Sequence, residues 1–190
     1  MGLGQWRTGV ARGRRSRADE FREFAVGRTN QLYRSACLLT SGDTHLAEDL
    51  VQETLGRMYA LWGRIPRIDN PAAYAQTVLV RTYLTHKRRR SAGEWPVGDV
   101  PEPSERASYA PHASDSGGDP ALRVALLDAL GRLAAKDRAV VVLRYWEDRS
   151  VEETARAMNV SSAAVRTRSV RALAKLREQL GGHFAEFADH

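Results

Sequence analysis

One cysteine, Cys37, occurs in the 190 residues, which excludes an internal disulfide framework and a multi-cysteine zinc site. It lies at helical spacing within an apolar stretch, where a lone thiol reads as a small core residue in a reducing compartment. Long apolar runs are also missing, and nothing approaches the roughly 20 residues that a membrane-spanning helix needs. Arg14 and Arg15 resemble the basic pair of some export signals, but the segment after them, SRADEFREFAV, is charged and has no signal-peptide core. A cytoplasmic protein without membrane insertion is expected. Catalytic signatures are lacking as well: there is no GxSxG, P-loop, CxxC, HExxH or dinucleotide fingerprint. His45, Glu48 and Asp49 have a spacing that could put metal ligands on one helix face, but a single histidine with no partner motif reads as part of a solvated face. The expectation is no enzyme, no metal and no cofactor.

Five of the seven prolines fall in residues 91–120, together with four glycines and five serines. That stretch has no sustained apolar period and cannot bury enough surface to offset the entropy of ordering, so it reads as a flexible linker. Charge follows the same division. Lys and Arg number 29 against 23 Asp and Glu. The linker carries six acids and one base, whereas residues 19–90 have 11 bases against 8 acids and residues 121–190 have 12 against 9. Residues 1–18 hold five arginines and no acid. Two mildly basic blocks around an acidic middle suggest two units and a polyanionic partner. The expected boundaries are a basic tail at 1–18, a first domain at 19–90, the linker at 91–120, a second domain at 121–180 and a tail at 181–190.

Both blocks read as helix, because apolar residues recur every three or four positions with Pro and Gly between the periodic segments. In the first block a stripe from Phe21 to Leu39 is broken by Ser41-Gly42-Asp43. Asp43 or Thr44 can cap a second helix, whose apolar face is Leu46, Leu50, Thr54, Met58 and Leu61. Asn70-Pro71 pairs an N-cap with a first-turn proline, launching a third helix that ends in HKRRR. In the second block Leu122, Leu126, Leu130 and Leu133 run at helical spacing, and Asp137 opens a further short helix. Ser150 and Glu153 have the spacing of a capping box, Asn159 suits a left-handed turn, and Ser161 or Ser162 opens a last helix to about Leu180. Two short helices joined in this way make a helix-turn-helix.

On a wheel of 100° per residue, Val165, Ser169, Ala172, Leu173, Leu176 and Leu180 of that last helix form one seam. Ala163, Ala164, Thr167, Arg168, Arg171 and Lys175 lie opposite. Residues 161–177 carry five bases and no acid, and a helix of this width fits the major groove of B-DNA.

Three segments carry a family resemblance: AEDLVQETLGRMYALW (47–62), NPAAYAQTVLVRTYLTHKRRR (70–90) and LAAKDRAVVVLRYWEDRSVEETARAMNVSSAAVRTRSVRALAKLRE (133–178). Together they resemble a group IV, extracytoplasmic-function sigma factor of the sigma-70 family, closest to the actinobacterial forms. The resemblance implies an all-α protein of two small helical domains, sigma region 2 and a helix-turn-helix region 4, joined by the linker. It implies core RNA polymerase (the beta-prime clamp helices and the beta subunit) and promoter DNA as partners, with an anti-sigma factor as a further one, and no cofactor.

By the same resemblance, Asp49, Gln52 and Glu53 inherit polymerase docking, although the charges alone equally suit an ordinary solvated face. Minus-ten recognition and strand opening fall on the loop at 67–72, with Arg67, Asp69 and Asn70, and on Arg81, Thr82 and Tyr83 of the third helix. Many members have Asn where Arg81 stands; Arg can still stack on or hydrogen-bond a nucleotide. Lys87, Arg88, Arg89 and Arg90 would hold phosphates. Minus-thirty-five contacts fall on Ala164, Arg166, Thr167, Arg168 and Arg171, and members often have Gly-Thr in place of Ala163-Ala164. Trp62 reads as core, while Tyr74 and Tyr83 stand between core packing and base stacking.

The linker tests the arrangement. Twenty-nine residues, 91–119, span at most about 100 Å extended and roughly 30 Å as a coil. Promoter elements about 25 base pairs apart are separated by roughly 85 Å. The linker reaches only when stretched. A stand-alone helix-turn-helix regulator, with a sensing or dimerising first block, is the alternative; a metal-dependent hydrolase is a distant third.

Overall fold

The computed structural model describes residues 16–64, 69–93 and 120–181, and among them every regular element is helical. Helix α1 spans Arg17–Thr40, α2 Thr44–Leu61 and α3 Pro71–Gly93; α4 spans Pro120–Gly131, α5 Ala135–Val141, α6 Val151–Met158 and α7 Ser162–Leu180. Between α5 and α6 a π-helical turn runs over Val142–Trp146. The basic tail before Ser16, Arg67 and most of the linker lie outside the described residues. Residues 91–93, expected in the linker, complete α3, and α1 begins at Arg17, inside the segment read as a tail.

Local chemistry explains the boundaries. Ser16 accepts from Asp19 N to start α1, and Asp43 accepts from Leu46 N at 3.0 Å to start α2. Between them Ser41 takes a left-handed conformation and Gly42 has φ +90°, with Gly42 N donating to Cys37 O at 2.9 Å. A side chain at Gly42 would meet both that backbone strain and Leu127 Cδ1 at 3.3 Å. Asn70 Oδ1 accepts from Ala73 N at 2.9 Å ahead of Pro71. Ser150 and Glu153 close a reciprocal capping box on α6, and Asn159 ends it at φ 54°.

In the first domain α1, α2 and α3 bury Leu32, Ala36 and Leu39 against Leu50, Met58, Leu79 and Val80. Trp62, just past α2, is 6% exposed and packs its ring on Phe21 and Phe24, with centroids at 5.2 and 4.9 Å. Leu61, expected on the buried face, is instead 39% exposed, because α2 ends there and the chain turns Trp62 into the core. Cys37 is buried and its thiol is pushed up to about 11 by that burial.

The second domain folds around α7. Its lower half packs Ala172, Leu176 and Leu180 on Ala129, Leu130 and Leu133 of the α4 end. Val165, near its start, is fully buried with Val140, Leu143 and Ala155. These last residues also join the first domain's core in one continuous buried cluster. The two domains are therefore packed on each other, with α3 against α5 and α6, and α1 against α4, α5 and the π-helical turn.

Leu79 is fully buried, whereas the Ser150 cap is exposed. Leu79→Ala is expected to cost about 2–5 kcal/mol and Ser150→Ala about 1 kcal/mol. Urea unfolding followed by circular dichroism checks both values and their order.

Candidate nucleic-acid interface

Helix α7 is launched by Ser161, whose Oγ accepts from Ala164 N at 3.2 Å. Val165, Ser169, Ala172, Leu176 and Leu180 are buried, so Arg166, Thr167 and Arg171 face outward and Ala164 and Arg168 are half-buried. The exposed side is not a row of independent charges. Asp137 of α5, itself buried, accepts from Arg168 at 2.8 Å, and Arg171 Nη2 donates to both of its oxygens at 2.8 Å. Burial pushes the Asp137 carboxyl up, but the hydrogen bonds and charges of Arg171 and Arg168 outweigh it and hold the group below its ordinary range. One carboxylate thus fixes two guanidinium groups on the rim of the helix. Arg166 pairs loosely with Glu152 at 3.4 Å, and Lys175 Nζ donates to Arg132 O at 2.8 Å.

The third helix carries a second basic surface. Arg88, Arg89 and Arg90 are exposed and Lys87 is half-buried. Asp69 and Asn70 are exposed ahead of it, although the Asn70 amide oxygen is occupied as the helix cap. Further along the helix the side chains diverge. Tyr74 is half-buried, while Thr82 is 2% exposed and Tyr83 fully buried. In this conformation neither Thr82 nor Tyr83 presents a surface to a base, because both side chains are buried. Burial also pushes the Tyr83 hydroxyl up from its ordinary pKa.

Arg81 is the informative residue. Its Nε donates to Ala157 O at 2.8 Å and its Nη2 to Arg156 O at 2.9 Å. Both are carbonyls in the last turn of α6, where the helix dipole favours a cation. Beside Arg81 a cleft of about 780 Å³ brings Lys87 and Arg88 of α3 together with Lys136 of α5.

Asp49, Gln52 and Glu53 are exposed along α2, with Glu53 paired to Arg57 at 2.5 Å. Among the described residues there is no cluster of three His, Cys, Asp or Glu that could hold a metal, and no helix long and apolar enough to cross a membrane.

Residues 26–93 match the model of Sigma-70 region 2, and residues 123–176 that of Sigma-70 region 4. The chain belongs to the sigma-70 family. This sigma factor is 39% identical over 161 residues to an RNA polymerase sigma-E factor of Streptomyces avermitilis, covering 85% of each chain. It is 30% identical over 153 residues to the ECF RNA polymerase sigma factor SigL of Mycobacterium tuberculosis, covering 79% of this chain and 84% of that one. Its fold is similar to that of the sigma factor RpoE from Bartonella quintana, solved in complex with the anti-sigma factor NepR: TM-score 0.64, 23% identity, 86% of this chain and 98% of that one. CnrH, solved with the cytosolic domain of CnrY, has a TM-score of 0.55 at 20% identity, covering 84% and 86%.

Sequence reasoning missed Glu147, Arg149, Arg138 and Gln76. All four act across the two domains, and their partners lie about 70 to 120 positions away. The charges beside an apolar run, in VVLRYWEDR, are a local signal for Glu147 and Arg149 alone; Arg138 and Gln76 have none.

Because the Asp137 pKa is lowered in the fold, its stabilisation is full above about pH 4 and is lost as pH falls through the lowered value. Asp137→Asn is expected to be less stable than the wild type at neutral pH, and the gap should narrow on acidification. Urea midpoints measured between pH 7 and pH 2 check this.

Proposed function

We propose that this sigma factor binds core RNA polymerase through the polar face of α2, reads the minus-thirty-five element with α7, and captures the opened minus-ten strand along α3. The protein is a transcription initiation factor and needs no cofactor; its working compartment is the cytoplasm, where its partners are. The observation that carries the reading is the pairing, in one chain, of a basic helix-turn-helix with a second helical domain whose long helix ends in Arg88, Arg89 and Arg90. A regulator that only reads duplex needs the first element and has no use for the second.

The chemistry divides the labour. Exposed Arg88, Arg89 and Arg90 supply phosphate contacts, which add affinity without sequence information. Arg168 and Arg171, aimed by Asp137, suit bidentate contacts with base edges in the major groove, and Arg166, Thr167 and Ala164 flank them. Asp69, Asn70 and Arg81, with Arg67 in the loop outside the described residues, form the base-capture set. Extruding a base removes stacking and pairing of a few kcal/mol, which stacking and hydrogen bonds in a pocket must offset.

Run-off transcription with an actinobacterial core polymerase and a promoter library tests the whole reading. The expected result is promoter-dependent transcripts from the wild type and loss of core co-purification in Asp49→Lys/Glu53→Lys. The Glu53–Arg57 surface pair is worth only about 0.3–0.5 kcal/mol, so the double variant stays folded. A folded double variant that still co-purifies would move the docking surface elsewhere.

The two DNA surfaces should fail differently. Arg171→Ala is expected to cost about 1–3 kcal/mol on the preferred minus-thirty-five sequence and to relax its preference. Arg88→Ala/Arg89→Ala/Arg90→Ala should weaken binding to all sequences and flatten the salt slope by up to about 0.9 per lost duplex phosphate contact. Anisotropy titrations at several salt concentrations separate the two.

A further inference from the structure

The basic run of α3 is followed at once by a hydroxyl. After Arg88, Arg89 and Arg90 comes Ser91, exposed in the last turn of the helix, which ends at Gly93. Its Oγ donates to Lys87 O at 3.0 Å, a surface bond that water can replace. Three guanidinium groups directly before a serine form the kind of charge pattern by which a protein kinase selects its substrates.

Two other serines follow arginines, and the structure sets them apart. Ser169 has Arg166 at the same distance before it, but it lies in the middle of α7 and is 7% exposed. Ser16 follows Arg14 and Arg15, but Gly13 stands three places before it and its Oγ is engaged in capping α1 through Asp19. Ser91 combines exposure with a helix end, where the last turn frays and can be drawn into an extended groove.

The surroundings of Ser91 also suit an anion. It lines the cleft of about 780 Å³ together with Lys87, Arg88 and Lys136, and no carboxylate is among the described residues that line it. Lys87 and Arg88 stand four and three positions before Ser91, the spacing at which side chains meet on one helix face. A phosphate on this hydroxyl would therefore be received by cations already in place.

We propose that Ser91 is a phosphorylation site for an arginine-directed serine/threonine kinase, and that its phosphate releases minus-ten DNA from the basic end of α3. This rests on the phosphate-holding role proposed above for Lys87, Arg88, Arg89 and Arg90, and names its regulation. In the transfer, Ser91 Oγ bonds to the γ-phosphorus of a nucleoside triphosphate, and the bond from that phosphorus to the β–γ bridging oxygen breaks. The hydroxyl proton passes to a base of the kinase and nucleoside diphosphate leaves. The product carries about −1.5 to −2 charge at pH 7, against the four positive charges at 87–90. A guanidinium paired with this phosphate is no longer offered to DNA. The new charge also opposes the helix dipole at the C-terminal end of α3. Loss of two contacts with a single strand, at about 0.7 each, flattens the salt slope by about 1.4 and lowers affinity roughly tenfold at about 0.15 M salt.

The test treats the full chain with ATP and an arginine-directed kinase, assembles it with an actinobacterial core polymerase, and titrates a labelled single-stranded nontemplate minus-ten oligonucleotide. Mass spectrometry is expected to place a phosphate on Ser91, and the modified holoenzyme to bind about tenfold more weakly with the flatter salt slope. Phosphatase should restore both readouts, and Ser91→Ala treated in the same way should keep the affinity of the unmodified protein. An unmodified Ser91, unchanged binding by the phosphorylated chain, or an equal loss in treated Ser91→Ala overturns the proposal and leaves the DNA role of α3 standing. If Arg88→Ala/Arg89→Ala/Arg90→Ala binds the oligonucleotide as the wild type does, the phosphate-holding role itself is wrong and the proposal falls with it.

Discussion

A single buried guanidinium ties the molecule together. Arg138 of α5 donates to Leu39 O at 2.8 Å, to Gly131 O at 2.8 Å and to Leu133 O at 3.1 Å. Leu39 and Gly131 lie in the last turns of α1 and α4, whose carbonyls have no partner within their own helices. One side chain therefore finishes two helices from different domains and anchors the start of a third. Burial lowers the Arg138 pKa, an opposing effect that the Tyr83 hydroxyl partly offsets. The cation stays in place because three carbonyls replace its water. Without it, α5, only seven residues long, would lack the length to persist alone.

From that anchor the rest follows by short steps. Holding α5 sets Asp137, its neighbour in sequence, against α7, and Asp137 in turn orients Arg168 and Arg171. Holding α5 also sets the π-helical turn, which carries the chain toward Glu147. The same seven-residue helix thus supports the edge of α7 proposed to face duplex on one side and the domain seam on the other. A sequence that places Asp-Arg at 137–138 encodes both, with the acid turned toward α7 and the base turned inward to the helix ends.

Much of this was legible in the sequence, and the division between what was and was not is physical. Helix starts and stops depend on residues three or four apart, so the Asn70-Pro71 start, the Ser150–Glu153 box and the left-handed Asn159 could be read directly. The buried seam of α7 followed from its period alone, apart from half-buried Leu173. The π-helical turn could not be read, because it adds a residue to the helical repeat without any composition of its own. Nor could the fate of Arg81, Thr82 and Tyr83. Their periodicity says only that they lie on α3; the carbonyls that hold Arg81 and the guanidinium beside Tyr83 come from residues more than 50 positions later. Tyr83, balanced between core and surface on spacing alone, is core because α5 supplies the missing wall.

The solitary thiol of Cys37 has a consequence of a different kind. Buried at 3% exposure and protonated far above neutral pH, it is a poor nucleophile toward maleimides and similar reagents. No other sulfhydryl exists in the chain. A cysteine introduced on the surface of either domain would therefore react alone, and a pair of them, one per domain, would carry two dyes without any prior removal of native reactivity. The molecule arrives already suited to measuring the distance between its two domains on single copies.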